Sequence, residues 1–93
     1  MKNFTTKIDL QKNFDDVKLD LVVDISYNAS EDKANEIHML TSRFVTRNIK
    51  EVKSLTKNTI SMSLKEYLDE CCNAQICDVD VSYFKLIEKE NER

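Results

Sequence analysis

The chain has 93 residues, of which 41% are hydrophobic and 33% charged, and its formal net charge at pH 7 is −3. This length suits one hydrophobic core, so we expect a single domain spanning residues 1–93, with a frayed charged tail at residues 88–93. Glycine and proline are both absent, which excludes phosphate-binding loops, dinucleotide-binding turns and nucleophile elbows, since all of these need glycine.

The same survey predicts where the protein resides. The first residues, Met1 to Lys7, lack the apolar segment of a secretory signal, and no stretch approaches the roughly 18–20 apolar residues that cross a bilayer. Three cysteines, two of them adjacent, suit a disulfide framework poorly. We therefore expect a cytoplasmic protein that does not enter the membrane. A chain this short retains a thin stability margin, which also favours a homo-oligomer.

Two strands come first along the chain. Residues 4–12 alternate between apolar and polar side chains, and residues 17–27 alternate more strictly, as in half-buried strands. The apolar side of the second strand comprises Val17, Leu19, Leu21, Val23, Ile25 and Tyr27. Because only residues 13–16 separate the two strands, they are expected to form an antiparallel hairpin.

A helical period follows. Asn28 or Ser30 can begin a helix, and apolar residues at spacings of three and four continue to Val52. That stripe consists of Ala34, Ile37, Leu40, Thr41, Phe44, Val45, Asn48 and Val52. The pattern predicts one helix more than about 30 Å long that covers the sheet.

The remaining elements are a helix and a strand. Residues 58–63 alternate like a short strand, whereas Ser63 to Glu66 have the spacing of a capping box that opens a helix. We place the second helix at residues 64–74, with Leu64, Tyr67, Leu68 and Cys71 facing inward. A further strand is predicted at residues 76–87. The resulting order, β-β-α-(β)-α-β, predicts a two-layer α+β sandwich in which two helices cover one face of a small antiparallel or mixed sheet of three to four strands.

A basic stretch is the strongest candidate for a binding site. Residues 43–57 contain the single acid Glu51, and the basic side chains are Arg43, Arg47, Lys50, Lys53 and Lys57. If the first helix continued to residue 57, all five would lie within about 120° of arc, opposite the apolar stripe. Such a ridge suits an acidic protein surface or phosphates, and its simpler interpretation is a solvated helix face. Because the chain is acidic and no aromatic residue interleaves, an acidic protein partner is favoured over nucleic acid.

Four aspartates form a weaker candidate. Asp20 and Asp24 lie on the polar side of the second strand, and Asp78 and Asp80 lie on the polar side of the last one. If these strands were neighbours, the carboxylates could converge on a hard cation such as Mg²⁺. A charged sheet face that favours solubility and discourages edge pairing is the simpler interpretation, so we predict no metal site there.

The cysteines are a third candidate. Cys71, Cys72, Cys77 and His38 include the side-chain types that bind zinc, but their spacing is not that of a zinc site. We expect thiols packed between helix and sheet, and no cysteine nucleophile, since the first two lie near a helix C-terminus, where the helix dipole raises a thiol pKa.

Together these features predict a protein that is not an enzyme and needs no cofactor. The favoured function is a small binding or regulatory module that acts through protein–protein interaction. Size and composition suggest the inhibitors and adaptors of phages or mobile elements. The alternative is a nucleic-acid-binding protein that uses the basic helix face.

Overall fold

A computed structural model of the chain describes residues 1–89, which contain three strands and three helices. In chain order these are β1 (Lys2–Asn13), β2 (Val17–Ala29), α1 (Ala34–Arg47), α2 (Ile49–Val52), α3 (Lys57–Cys71) and β3 (Gln75–Glu88). The strands form one antiparallel sheet in the order β1-β2-β3. The predicted two-layer α+β sandwich is therefore confirmed, with three strands in the described part of the chain.

The central strand β2 explains why the helices cover a single face. Every odd-numbered side chain from Val17 to Ala29 is buried, and every even-numbered one is partly exposed. Successive side chains of a strand point to opposite faces, so the apolar residues of β2 form one side only. On β1, Ile8 and Leu10 join that buried side. We call this side the core face and the opposite, polar side the open face.

The molecule is elongated, with principal extents of 55 × 21 × 20 Å. The long axis follows the strands, and the short turn at residues 14–16 marks what we call the hairpin end. From the opposite end, α1 runs down to the hairpin end, α3 returns, and β3 runs down again beside β2. Residues 43–57 are therefore placed at the hairpin end of the molecule.

The prediction of one long helix to Val52 was wrong. Helix α1 begins at Ala34 and ends at Arg47, a length of about 21 Å. The backbone of Asn48 leaves the helical region, and its side-chain amide donates to the carbonyl of Phe44 at 2.8 Å. Local bonds of this kind let Asn compete with the helical ladder. The next helix, α2, consists of a single turn.

Residues 58–63, which the sequence left open between a short strand and a helix, are helical, because α3 already begins at Lys57. The hydroxyl of Thr56 accepts the N–H of Thr59 at 3.2 Å and so caps this helix, in place of the capping box expected at Ser63. Ile60, Leu64 and Leu68 follow at helical spacing and are completely buried. Helix α3 ends at Cys71, which is exposed rather than inward, and not at residue 74.

The alternation between core-facing and open-facing side chains shifts by one residue partway along β3. Val79 and Val81 are buried, but beyond the bulge at Ser82 the side chains that pack against the core are Phe84 and Leu86. Tyr83 therefore lies on the open face. An extra residue in one strand reverses the faces of all residues that follow it. Strict alternation across the predicted strand 76–87 could not reveal this shift.

A buried tyrosine joins the sheet to the start of α1. The hydroxyl of Tyr27 donates to the Asp32 carboxylate at 3.1 Å and accepts the backbone N–H of Lys33 at 3.0 Å. The same carboxylate accepts the N–H of Ala34 at 2.8 Å, so it satisfies a free donor of the first turn. Asp32 thus takes the part that the sequence analysis assigned to Asn28 or Ser30.

This network supports a prediction. Replacing Tyr27 with phenylalanine should lower the free energy of unfolding by about 1–3 kcal/mol, because the N–H of Lys33 loses its buried acceptor. Urea denaturation followed by circular dichroism measures the change. Tyr83→Phe is the matched control: that side chain is exposed, and the replacement should cost less than about 0.5 kcal/mol. Equal losses in the two variants would contradict a structural role for the Tyr27 hydroxyl.

The end of β3 is held against the turn at the hairpin end. The backbone N–H of Lys89 donates to the carbonyl of Asp16 at 2.9 Å. The side-chain ammonium of Lys89 donates to the carbonyl of Phe14 at 2.6 Å. The frayed tail predicted from residue 88 is therefore wrong for Glu88 and Lys89, and residues 90–93 lie outside the described part. Among residues 1–89, no helix has the length and apolar character needed to cross a bilayer.

Candidate functional site

The five predicted binding residues lie at the hairpin end, on three helices and the loop between α2 and α3. Together, Arg43, Arg47, Lys50, Lys53 and Lys57 are called the basic cluster here, and all five are exposed. The first two lie four residues apart on α1, and therefore on one helix face. Lys50 belongs to α2, Lys53 follows it, and Lys57 opens α3. A continuous helical ridge is not formed, because α1 ends at Arg47.

One member of the cluster has a carboxylate partner. The ammonium of Lys53 forms an ion pair and hydrogen bond with Asp16 in the β1–β2 turn. The hydrogen bond from Lys53 holds the pKa of the Asp16 carboxyl below its usual value. Within residues 1–89, no ion pair involves Arg43, Arg47, Lys50 or Lys57. Four exposed cations thus remain available to a partner.

Other cations lie at the same end of the molecule, although the sequence analysis did not group them with the cluster. Lys12 of β1 donates to the hydroxyl of Thr46 on α1 at 2.9 Å, and Lys89 is anchored beside the turn. Their positions along the chain are remote from residues 43–57. The sequence could have grouped these lysines with the cluster only if the predicted hairpin had been placed beside the end of the first helix.

Charge is divided along the long axis as a result. Between the middle of the sheet and the hairpin end, the basic residues are Lys12, Lys18, Arg43, Arg47, Lys50, Lys53, Lys57, Lys85 and Lys89, and the acidic ones are Asp9, Asp15, Asp16, Asp20, Glu51 and Glu88. In the opposite half the basic residues are Lys2, Lys7, Lys33 and Lys65, and the acidic ones are Asp24, Glu31, Asp32, Glu36, Glu66, Asp69, Glu70, Asp78 and Asp80. Within residues 1–89, one half is therefore basic and the other acidic, and such a charge distribution orients a protein in the field of a charged partner.

An open groove of about 510 Å³ adjoins the basic cluster. Its lining consists of Asp16, Val17, Lys53, Leu86, Glu88 and Lys89. This lining combines two apolar residues with charges of both signs, which is the composition of a polar recognition surface rather than of an apolar ligand pocket.

The four aspartates do not converge on one point. Strands β2 and β3 are neighbours, and Asp24 lies directly opposite Asp80. However, Asp20 faces Lys85, and it lies four residues, or about 13 Å, along the strand from Asp24. No group of three or more His, Cys, Asp or Glu side chains in residues 1–89 is arranged to hold a metal ion. The four carboxylates are thus distributed along the open face.

The three thiols differ in their surroundings. Cys72 is buried and donates to a carboxylate oxygen of Glu36 at 3.1 Å, whereas Cys71 and Cys77 are exposed. Burial, the hydrogen bond to Glu36 and the charge of Glu36 raise the pKa of the Cys72 thiol to about 11. At neutral pH this thiol stays protonated and is a poor nucleophile. The expectation of packed thiols is confirmed for Cys72 and wrong for the other two.

Comparison with protein-family models, with curated proteins and with solved structures gives no match to this chain. The fold and the site define a two-layer α+β protein in which five exposed cations cluster at one end.

Proposed function

We propose that this chain is a small, non-catalytic binding module that recognises an acidic protein surface through the basic cluster. The observation that carries the proposal is the set of four exposed cations, Arg43, Arg47, Lys50 and Lys57, which form no ion pair in residues 1–89. The chain as a whole is acidic. Cations gathered at one end of an acidic molecule favour one orientation of approach to a negatively charged partner.

The groove beside Lys53 supports a protein partner. Interfaces combine charged side chains with apolar contacts, and here Val17 and Leu86 adjoin the cluster. An inhibitor or adaptor that acts by surface complementarity needs no more chemistry than this. Its size and composition suit the small proteins that phages and mobile elements encode.

Nucleic acid fits the same cluster less well. Single-stranded nucleic acid is usually held by aromatic side chains within a positively charged groove, and residues 43–57 contain one aromatic residue, Phe44, which is buried. The acidic half of the molecule and the aspartates of the open face would repel a long polyanion. We therefore favour the protein partner.

A charge-reversal experiment tests the proposal. The Arg43→Glu/Arg47→Glu variant should retain its partner from a lysate of the source organism at least about tenfold more weakly than the wild type, because like charges would then meet. Both side chains are exposed, so the free energy of unfolding should change by less than about 1 kcal/mol. The matched control is Lys2→Glu/Lys65→Glu, which makes the same change of charge in the acidic half and should retain the partner.

Two outcomes would contradict the proposal. If the same proteins were retained by the wild type and by the Arg43→Glu/Arg47→Glu variant, the basic cluster would not be the recognition surface. If a fluorescent DNA or RNA duplex bound the wild type, with affinity falling about a hundredfold or more between roughly 50 and 200 mM salt, the nucleic-acid alternative would replace the protein partner.

A further inference from the structure

Strand β1 is one edge of the sheet, and within residues 1–89 it lacks two features that protect the other edge. It pairs with β2 over all twelve of its residues without a register shift. The other edge, β3, contains two register shifts, and the N–H of Val81 on that edge is taken by the hydroxyl of Ser61 on α3 at 3.1 Å. Bulges and covering side chains protect edge strands from further pairing. Within residues 1–89, β1 has neither form of protection.

The ladder shows which backbone groups of β1 are free. The N–H of Phe14 donates to the carbonyl of Val17 at 2.8 Å, and these residues are next in register after the last strand pair, Asn13 with Lys18. Hydrogen-bonded and non-bonded pairs alternate along an antiparallel ladder, so the even-numbered residues of β1 bond to β2. The odd-numbered residues direct their N–H and C=O groups away from the sheet. Thr5, Lys7 and Asp9 are at the centre of this free edge.

The open-face side chains of the same residues are complementary to those of a second copy. An antiparallel β1–β1 pair centred on Ile8 places Lys7 of each copy opposite Asp9 of the other, which forms two cross-strand ion pairs. Displacing the register by one residue pair in either direction places Lys7 opposite Lys7 or Asp9 opposite Asp9. Like charges directly opposite are unfavourable. Only the register centred on Ile8 matches charge and backbone phase together.

Within the protomer, Asp9 has no cation opposite it in the hairpin. Asp9 lies opposite Val22 in the hairpin, whereas Lys7 lies opposite Asp24. In the centred register, the partner's Lys7 would stand beside Asp9. The even-numbered side chains of both copies, Ile8 and Leu10 among them, would remain on the core face, so the helices of both copies would cover the same side of one six-stranded sheet.

We propose that the protein forms a symmetric dimer by antiparallel pairing of β1 with β1 of a second copy, centred on Ile8. This interaction is independent of the basic cluster. It removes the free edge of the sheet and enlarges a core that is small in the isolated protomer.

Light scattering and sedimentation equilibrium test the dimer. The wild type should have twice the protomer mass of 10.9 kDa. Asp9→Lys should weaken dimerisation by about tenfold or more, since both ion pairs become repulsions. Lys7→Asp should weaken it similarly, and an equimolar mixture of the two variants should regain the dimer, because both pairs are then opposite in charge. Asp78→Lys is the matched control on the open face of β3 and should leave the dimer unchanged.

A residue-resolved measurement on the wild type identifies the interface without any substitution. Under dimer-forming conditions, hydrogen exchange observed by NMR should be slow at the amides of Thr5, Lys7 and Asp9. After dilution to the protomer, these amides should exchange fast while those of Thr6 and Ile8 stay protected by β2. A wild-type monomer, a dimer whose odd-numbered β1 amides exchange fast, or a variant mixture that remains monomeric would each overturn the proposal.

Discussion

Replacing Ile60 with alanine is expected to lower the free energy of unfolding by about 3 kcal/mol, within the range of about 2–5 kcal/mol for large-to-small changes in a core. The side chain is 0% exposed and belongs to the hydrophobic cluster between α3 and the sheet. Met62, two residues further on, is 67% exposed. Met62→Ala is therefore the matched control and should change stability by less than about 0.5 kcal/mol.

The comparison of the two variants also tests the helix itself. In a strand at residues 58–63, Ile60 and Met62 would point to the same face, and both truncations would have similar effects. In α3 they lie about 200° apart around the axis, so only one of them can be buried. Urea denaturation of both variants gives the two energies. Losses of similar size would favour a strand and would contradict α3 as the structure has it.

The elements that the sequence predicted best are those with a strict period. The alternation from Val17 to Tyr27 specifies both the strand and its buried side, because a shift of one residue would expose all the odd-numbered apolar side chains. The stripe containing Ile37, Leu40 and Phe44 predicts α1 in the same way. Two-layer packing then follows, since each element has one apolar side to bury.

Errors arose where short-range hydrogen bonds decide between similar patterns. The periodicity of apolar residues does not distinguish Asn48 inside a helix from Asn48 ending one, whereas the structure shows its backbone leaving the helical region and its amide bonded to the Phe44 carbonyl. Residues 58–63 form so short a segment that they match both the strand period and the helix period. The hydroxyl of Thr56, which caps α3, favours the helix. The bulge at Ser82 depends on pairing with β2, which a single strand does not reveal.

The residues of the basic cluster were predicted from their sequence, but their arrangement was not. Local composition was enough to identify Arg43 to Lys57 as a basic stretch. The ion pair of Lys53 with Asp16 depends on the β1–β2 turn lying beside the end of α2, which is a tertiary contact. The same packing places Lys12 beside Thr46. Helix breakage at Asn48 therefore converts a linear ridge into a cluster around one end of the molecule.

Stability is expected to decline as the pH rises above about 9, chiefly because of Cys72. Its folded-state pKa of about 11 exceeds the ordinary value of 9.0, so the folded thiol keeps its proton at pH values where the unfolded thiol has lost it. The stabilisation is fully present below about pH 9 and decreases as the pH approaches 11. At about 1.4 kcal/mol for each pKa unit, the total loss would be about 2–3 kcal/mol.

Two other groups extend this decline to higher pH. Burial raises the pKa of the Tyr27 hydroxyl above its ordinary 10.0, and the hydrogen bond to Glu31 raises the pKa of Lys33 above 10.5. A group whose folded pKa is raised contributes stability that is lost with increasing pH, so all three groups act in one direction. Because the ordinary pKa of Cys72 is the lowest of the three, its share appears first, just above pH 9.

Urea denaturation between about pH 8 and pH 11, in the presence of a reductant, measures the slope. Cys72→Ser should remove most of the decline between about pH 9 and pH 10, since the serine hydroxyl can donate to Glu36 and does not ionise in this range. Cys71→Ser is the matched control, because that neighbouring thiol is exposed, and it should leave the decline in place. An identical slope in wild type and Cys72→Ser would show that the buried thiol does not control stability at alkaline pH.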